Sequence, residues 1–267
     1  MSEVKKPILL KLGGSVITNK RETPPKINEE TVRRIATELH PVSLPLIIVL
    51  GGGAHGHQAA HAFGYGDPMT PMSRLLQGIP KIRHNMSELS FGIESLFCQE
   101  GIPSVIVSPF SIAILEDDKI KSFSLETIRR TIESGHNVIT HGDVCFDEQR
   151  GATILSGDTI MTYLAKELQI QEILIGTDVD GVLDTDPSRN PDAKIVPMIN
   201  TSNIESILAS VGPSSSTDVT GGMAKKIKDL LTLSGYGIET TIFNLNVPGR
   251  LHDILNGKSV PCTKVIP

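Results

Sequence analysis

Residues 44–57 read LPLIIVLGGGAHGH. The first seven are apolar with no polar alternation, the pattern of a strand covered on both faces. Gly51, Gly52 and Gly53 stop that strand, because glycine reaches turn conformations closed to other residues. Beyond them the chain reads as helix, with His55 and His57 two positions apart. A buried strand that turns through glycines into a helix is the repeating unit of an α/β protein.

The same grammar recurs on either side. Residues 7–12, 103–109, 137–143, the start of 172–182, 239–245 and 262–267 read as strands. Helical patterns fall at 28–40, 82–99, 124–135, 157–168, 203–209, 222–234 and 250–256. The alternation predicts a three-layer αβα sandwich around a mainly parallel sheet. In such sheets ligands bind beyond the carboxyl ends of the strands. Gly13-Gly14, Gly51–His57, Gly142-Asp143 and Thr177-Asp178 all fall at such ends. No internal repeat or linker divides the 267 residues, so one domain is expected over 1–267.

Composition narrows the function classes. The net charge is −5 and charged residues make up 21 %, so no basic stripe marks a nucleic-acid surface. Cys98, Cys145 and Cys262 are too few and too far apart for a disulfide framework or a zinc site. No apolar run approaches the ~20 residues of a spanning helix, and the N-terminal stretch lacks the pattern of a signal peptide. The expectation is a cytoplasmic protein with no membrane or nucleic-acid partner.

Three glycine-rich turns suit phosphate. Glycine admits close approach of backbone N–H groups to an anion, and a following helix N-terminus favours negative charge. The turns are KLGGSVITNK (11–20), GGGAHGH (51–57) and TGGMAKK (220–226). Two of them carry lysines: Lys11 and Lys20 in the first, Lys226 in the third. None has the spacing of a Walker A loop, and the turn after the first strand lacks the dinucleotide fingerprint. Five aspartates lie between 178 and 192. They follow a strand and lack the twelfth-position glutamate, so they do not form a calcium-binding EF-hand loop.

Taken together, KLGGS, GGG…GH, SGD (156–158), TDVDGV (177–182), DP (186–187) and TGGM followed by lysines resemble the amino acid kinase superfamily in order and separation. The resemblance runs along the whole chain. It implies the amino acid kinase fold and transfer of the ATP γ-phosphoryl group to a carboxylate, carbamate or phosphate. Within the superfamily, Lys20 and His57 resemble the branch that phosphorylates isopentenyl phosphate, whose turn reads H-G-[AG]-G-S-F-G-H. Here Leu50, Ala54 and His55 replace the first histidine, the serine and the phenylalanine. Ala54 matches the branch that phosphorylates fosfomycin, so a phosphonate acceptor stays open, as does an inactive nucleotide-binding module.

The resemblance also implies roles. Lys11 and Lys20 would hold the β- and γ-phosphates, and Asp158 would orient the lysines; an N-cap carboxylate is the competing reading of Asp158. ATP would contact Lys11, Gly13, Gly14, Ser15, Thr177, Asp178, Gly181, Asp186, Gly222 and Lys226, with Mg²⁺ bridging its phosphates and no protein ligand assigned to the metal. The acceptor, a small-molecule phosphate, is already anionic because its second pKa is ~6, so no strong base is needed. His57 would donate to it, and backbone N–H groups of Gly52, Gly53 and Gly157 would hold its other oxygens. Ile79 and Ile82 would wall a slot for its tail. His55 reads as a core histidine, and His141 as a further candidate near the acceptor. The acceptor part would be about 1–170, the ATP part about 171–267, and the assembly a homodimer.

Overall fold

The computed structural model describes residues 6–19, 22, 24–185, 190, 192–211 and 222–267. Lys20 and Asp186 therefore lie outside the described residues.

The chain opens with β1 (Ile8–Leu12), a helical turn α1 (Gly14–Ile17) and a small hairpin, β2 (Thr18–Asn19) with β3 (Lys26–Ile27). Then come α2 (Glu29–Leu39), β4 (Leu46–Leu50), α3 (Gly53–Ala62), α4 (Met72–Gln99) and β5 (Ser104–Ile106). A second layer of short strands follows: β6 (Ala113–Glu116) and β7 (Lys119–Phe123). After α5 (Glu126–Glu133) come β8 (Asn137–His141), β9 (Asp143–Asp147), β10 (Gly151–Leu155), α6 (Gly157–Glu167) and β11 (Glu172–Thr177). The chain closes with β12 (Met198–Ile199), α7 (Ile204–Val211), α8 (Gly222–Ser234), β13 (Glu239–Asn244), α9 (Arg250–Leu255) and β14 (Cys262–Val265).

The main sheet has eight strands in the order β12-β14-β13-β11-β1-β4-β8-β5. From β13 to β5 every pairing is parallel. Only β14 runs antiparallel to β13, with β12 parallel to β14. β1 lies between β4 and β11 although the chain visits them far apart. This makes the carboxyl end of β1 the switch point of the sheet, where a crevice opens.

Side chains alternate across the sheet, so each face builds its own core. Leu10, Leu12, Ile48 and Leu50 pack under α2, α3, α4 and α9. Leu9, Ile47, Val49, Ile173 and Ile175 pack under α5, α6, α7 and α8. The three-layer architecture expected from the sequence is present. What the sequence reading did not anticipate is a four-stranded sheet, β10-β9-β6-β7. It packs against α4, and that helix starts at Met72 and runs through Pro80 instead of starting near 82.

A candidate phosphoryl-transfer site at the strand ends

Because six strands run parallel, their glycine turns meet at one edge. The N–H of Gly13 donates to the Gly176 carbonyl at 2.8 Å, that of Gly51 to Leu12 at 2.9 Å and that of Gly142 to Leu50 at 3.1 Å. The turns after β1 and β4 touch backbone to backbone. A Cβ on Gly14 would overlap the Gly53 backbone, and one on Gly51 would sit 2.6 Å from the Gly14 nitrogen. Gly53 also has φ +49°, a conformation glycine adopts without cost. Thr18 fastens the pair: its hydroxyl donates to the Gly14 carbonyl at 2.7 Å and accepts from the Ala54 N–H at 3.1 Å. Gly157 joins the same knot, with its Cβ position 3.2 Å from the Leu50 carbonyl.

Lys11 interrupts the apolar β1, level with Ile175 and Val49. It is 7 % exposed, so its ammonium group requires a counter-charge. Asp158, in the first turn of α6, supplies it through an ion pair. The same carboxylate lies 3.6 Å from the ammonium of Lys226 on α8. Burial alone would raise the Asp158 pKa, but Lys11 and Lys226 outweigh it and hold the carboxyl below its usual range. The cap of α6 is Ser156, whose hydroxyl accepts from the Thr159 N–H at 3.1 Å. Asp158 is therefore not the N-cap, and its side chain turns to the lysines.

The histidine turn separates into inward and outward positions. Leu50 is fully buried, level with His141 on β8. Ala54 and His55 are buried too, and Asn85 of α4 donates to the His55 carbonyl at 3.0 Å. Burial lowers the pKa of His55. His57 is exposed on α3. Ile82 lies in the core and Ile79 is half-buried at its edge.

Ser15 and Asp178 line one cleft of about 450 Å³ with Thr18, Asn19, Glu22, Asn28 and Asn246. The Thr177 hydroxyl donates to Asp178 at 3.3 Å. Gly181 is buried, and a Cβ there would overlap Thr263, so this glycine fits the close approach of two backbones. Asp180 pairs with Arg250, whose hydrogen bond holds the carboxyl below its usual range. Gly222 opens α8, the helix that carries Lys226.

The sequence reading named Asp143 and His141 but missed the arginine that joins them. Arg83 of α4 pairs with the fully buried carboxylate of Asp143 and lies 5.3 Å from the centre of the Phe110 ring. Burial pushes Asp143 up to about 7 against the pull of Arg83. His141 sits 3.5 Å from Asp143, and burial takes its pKa down to about 4. The signal was an arginine one residue after Ile82 and four after Ile79, on a helix whose buried face is mostly apolar.

A half-buried carboxylate that gathers two lysines beside glycine turns at a sheet switch point describes a phosphotransferase crevice. The chain belongs to the amino acid kinase family, which it matches over residues 6–244. Within that family it belongs with the isopentenyl phosphate kinases. It is 33 % identical to the isopentenyl phosphate kinase of Methanothermobacter thermautotrophicus, over 97 % of this chain and 98 % of that one. It is 32 % identical to that of Methanocaldococcus jannaschii, over 94 % and 95 %. An X-ray structure of an isopentenyl phosphate kinase superposes with a TM-score of 0.83 at 30 % identity, covering 96 % of this chain and 99 % of that one.

Proposed function

We propose that the protein transfers the γ-phosphoryl group of ATP to isopentenyl phosphate, giving isopentenyl diphosphate and ADP. The observation that carries this reading is Asp158, which joins Lys11 and Lys226 at the glycine knot formed with the histidine turn. The relatives support isopentenyl phosphate over a phosphonate acceptor. So does the geometry of the altered turn: Leu50, Ala54 and His55 face the core, while His57 faces out.

In the reaction an acceptor oxygen forms a bond to the γ-phosphorus as the bond to the β–γ bridging oxygen breaks. The transition state is loose, with charge spread over the transferring oxygens. Positioning and fixed positive charge then supply the rate. Lys11 and Lys226 face that charge, and Asp158 holds their ammonium groups in place. Lys20 adds a third cation by resemblance. His57 donates to the acceptor phosphate, and the N–H groups of Gly52, Gly53 and Gly157 take its remaining oxygens. Gly13, Gly14, Ser15, Thr177, Asp178, Gly181, Asp186 and Gly222 surround ATP. Ile79 and Ile82 wall the tail. Among the described residues no three His, Cys, Asp or Glu side chains gather as a metal site. Lysines and backbone N–H groups suit a phosphate chain that brings its own Mg²⁺, which when bound neutralises charge on the β- and γ-oxygens.

The division of labour we propose puts the acceptor in about 1–170 and ATP in about 171–267, in a cytoplasmic homodimer. Among the described residues no helix is long and apolar enough to cross a membrane. The test is ADP release from Mg-ATP with isopentenyl phosphate, fosfomycin, glutamate and UMP in separate reactions. Selective turnover of isopentenyl phosphate is expected; turnover of fosfomycin alone would overturn the reading.

A further inference from the structure

Arg83 and Asp143 form a shielded ion pair, with His141 3.5 Å from the carboxylate. The Asp143 side chain has no exposed surface and that of Arg83 is 21 % exposed. Such a pair adds little net stability, because desolvation offsets the attraction. What it does is fix one element against another. Arg83 lies three residues beyond Pro80 inside α4. A proline there cannot donate to the Leu76 carbonyl, which leaves the helical ladder incomplete. The helix thus lacks one backbone hydrogen bond at Pro80. Just past that point, Arg83 clamps α4 to the β8–β9 corner.

The corner is part of the phosphate cradle's frame. Gly142, immediately before Asp143, donates to the Leu50 carbonyl at 3.1 Å. Its Cβ position lies 2.9 Å from the Gly157 nitrogen. Gly157 and the residues after Leu50 supply N–H groups to the proposed cradle. Arg83 is also held by the Phe110 ring, whose centre lies 5.2 Å from that of Phe146 of β9 in a tilted arrangement. One ion pair therefore connects the helix that walls the tail slot to the turns that hold the acceptor phosphate.

We propose that Arg83 is a positioning residue that couples tail recognition to phosphate placement through Asp143 and the Gly142 corner. This inference rests on the acceptor reading above. A tail seated against α4 sets the position of Arg83, and the ion pair passes that position to the cradle. Remote binding contributes to rate in this way only if it orients the reacting phosphate.

The test compares kcat/KM for isopentenyl phosphate and for ethyl phosphate, which shares the monoester but little of the tail. The full chain is used at saturating Mg-ATP, with R83M, R83K and the double variant R83M/D143L. In R83M the preference for isopentenyl phosphate over ethyl phosphate falls about tenfold while KM for ATP changes less than twofold. R83K restores most of the preference because it keeps the charge. The double variant replaces the pair with apolar side chains, stays folded, and shows the same loss as R83M. Equal losses on both acceptors, or no loss in the double variant, overturn the coupling. A parent enzyme that does not turn over isopentenyl phosphate overturns the acceptor reading instead, before any variant is compared.

Discussion

Replacing Asp158 with asparagine keeps the shape of the side chain and removes its charge. Lys11 is 7 % exposed and pairs with this carboxylate; Lys226 lies 3.6 Å from it. Removing one partner of a buried pair costs about 3–5 kcal/mol. Asp158 keeps 30 % of its side-chain surface exposed, so water recovers part of that and a loss of about 2–3 kcal/mol is expected. In a chain of this size that lowers the melting temperature by about 5–10 °C. Activity should fall further: cations held out of place at a developing anion cost ~10²–10³ in kcat. The control is Ser156→Ala. It removes the cap of the same helix at about 1 kcal/mol but touches neither lysine, so kcat should stay within about twofold of the parent. Calorimetry and steady-state ADP release read both effects. The depressed pKa of Asp158 means its stabilisation is present above the ordinary carboxyl value and lost as pH falls through the folded value; the asparagine variant should lack that acid-side loss. Full kcat in a D158N enzyme that melts early would refute the orienting role and leave Asp158 a structural residue.

His57→Ala should raise KM for the acceptor and lower kcat while ATP binding, followed by calorimetric titration, stays near that of the parent. Because His57 is exposed, the melting temperature should barely move, and parent-like turnover would rule out the donor role. Gly14→Ala should fold poorly or lose activity, since the new methyl group overlaps the Gly53 backbone; a stable, active variant would mean the two turns separate easily. Asp143 and His141 oppose each other in pH. Asp143, raised to about 7, binds its proton more tightly when folded, so stability falls as pH rises from about 4 to 7. His141, lowered to about 4, loses stability as pH falls from 6.5 to 4. The parent should therefore be nearly flat in this contribution. Asp143→Asn should melt higher as pH rises through that window and His141→Gln lower, and parallel profiles for all three proteins would sink the argument.

The main sheet was readable because its strands are continuously apolar and end in glycine. That pattern named the carboxyl edge and its glycine turns, with Lys11 and Gly51–Gly53 among them, whereas the roles of His57, Asp158 and Lys226 came from the resemblance to the amino acid kinases. The small sheet was not readable. Its strands are short, and β6 and β7 join through Asp117 and Asp118 at φ 51° and 60°, a turn that looks like an acidic surface loop in sequence. Helix α4 was cut short in the reading because Pro80 and Gly78 punctuate it, yet packing against Phe63, Tyr65 and the small sheet carries the helix through both.

Local pattern determined which elements exist and which residues suit phosphate, since strand period, glycine and lysine act over a few neighbours. Partnership was decided by the tertiary structure. Lys11 and Asp158 are 147 positions apart, and nothing near either reveals that one neutralises the other. The N-cap reading of Asp158 was equally good in sequence; only the arrival of β1 and α8 beside α6 turned its side chain away from the helix end. Arg83 and Asp143 meet for the same reason: a charge buried by the fold has to be matched by whatever the fold brings next to it.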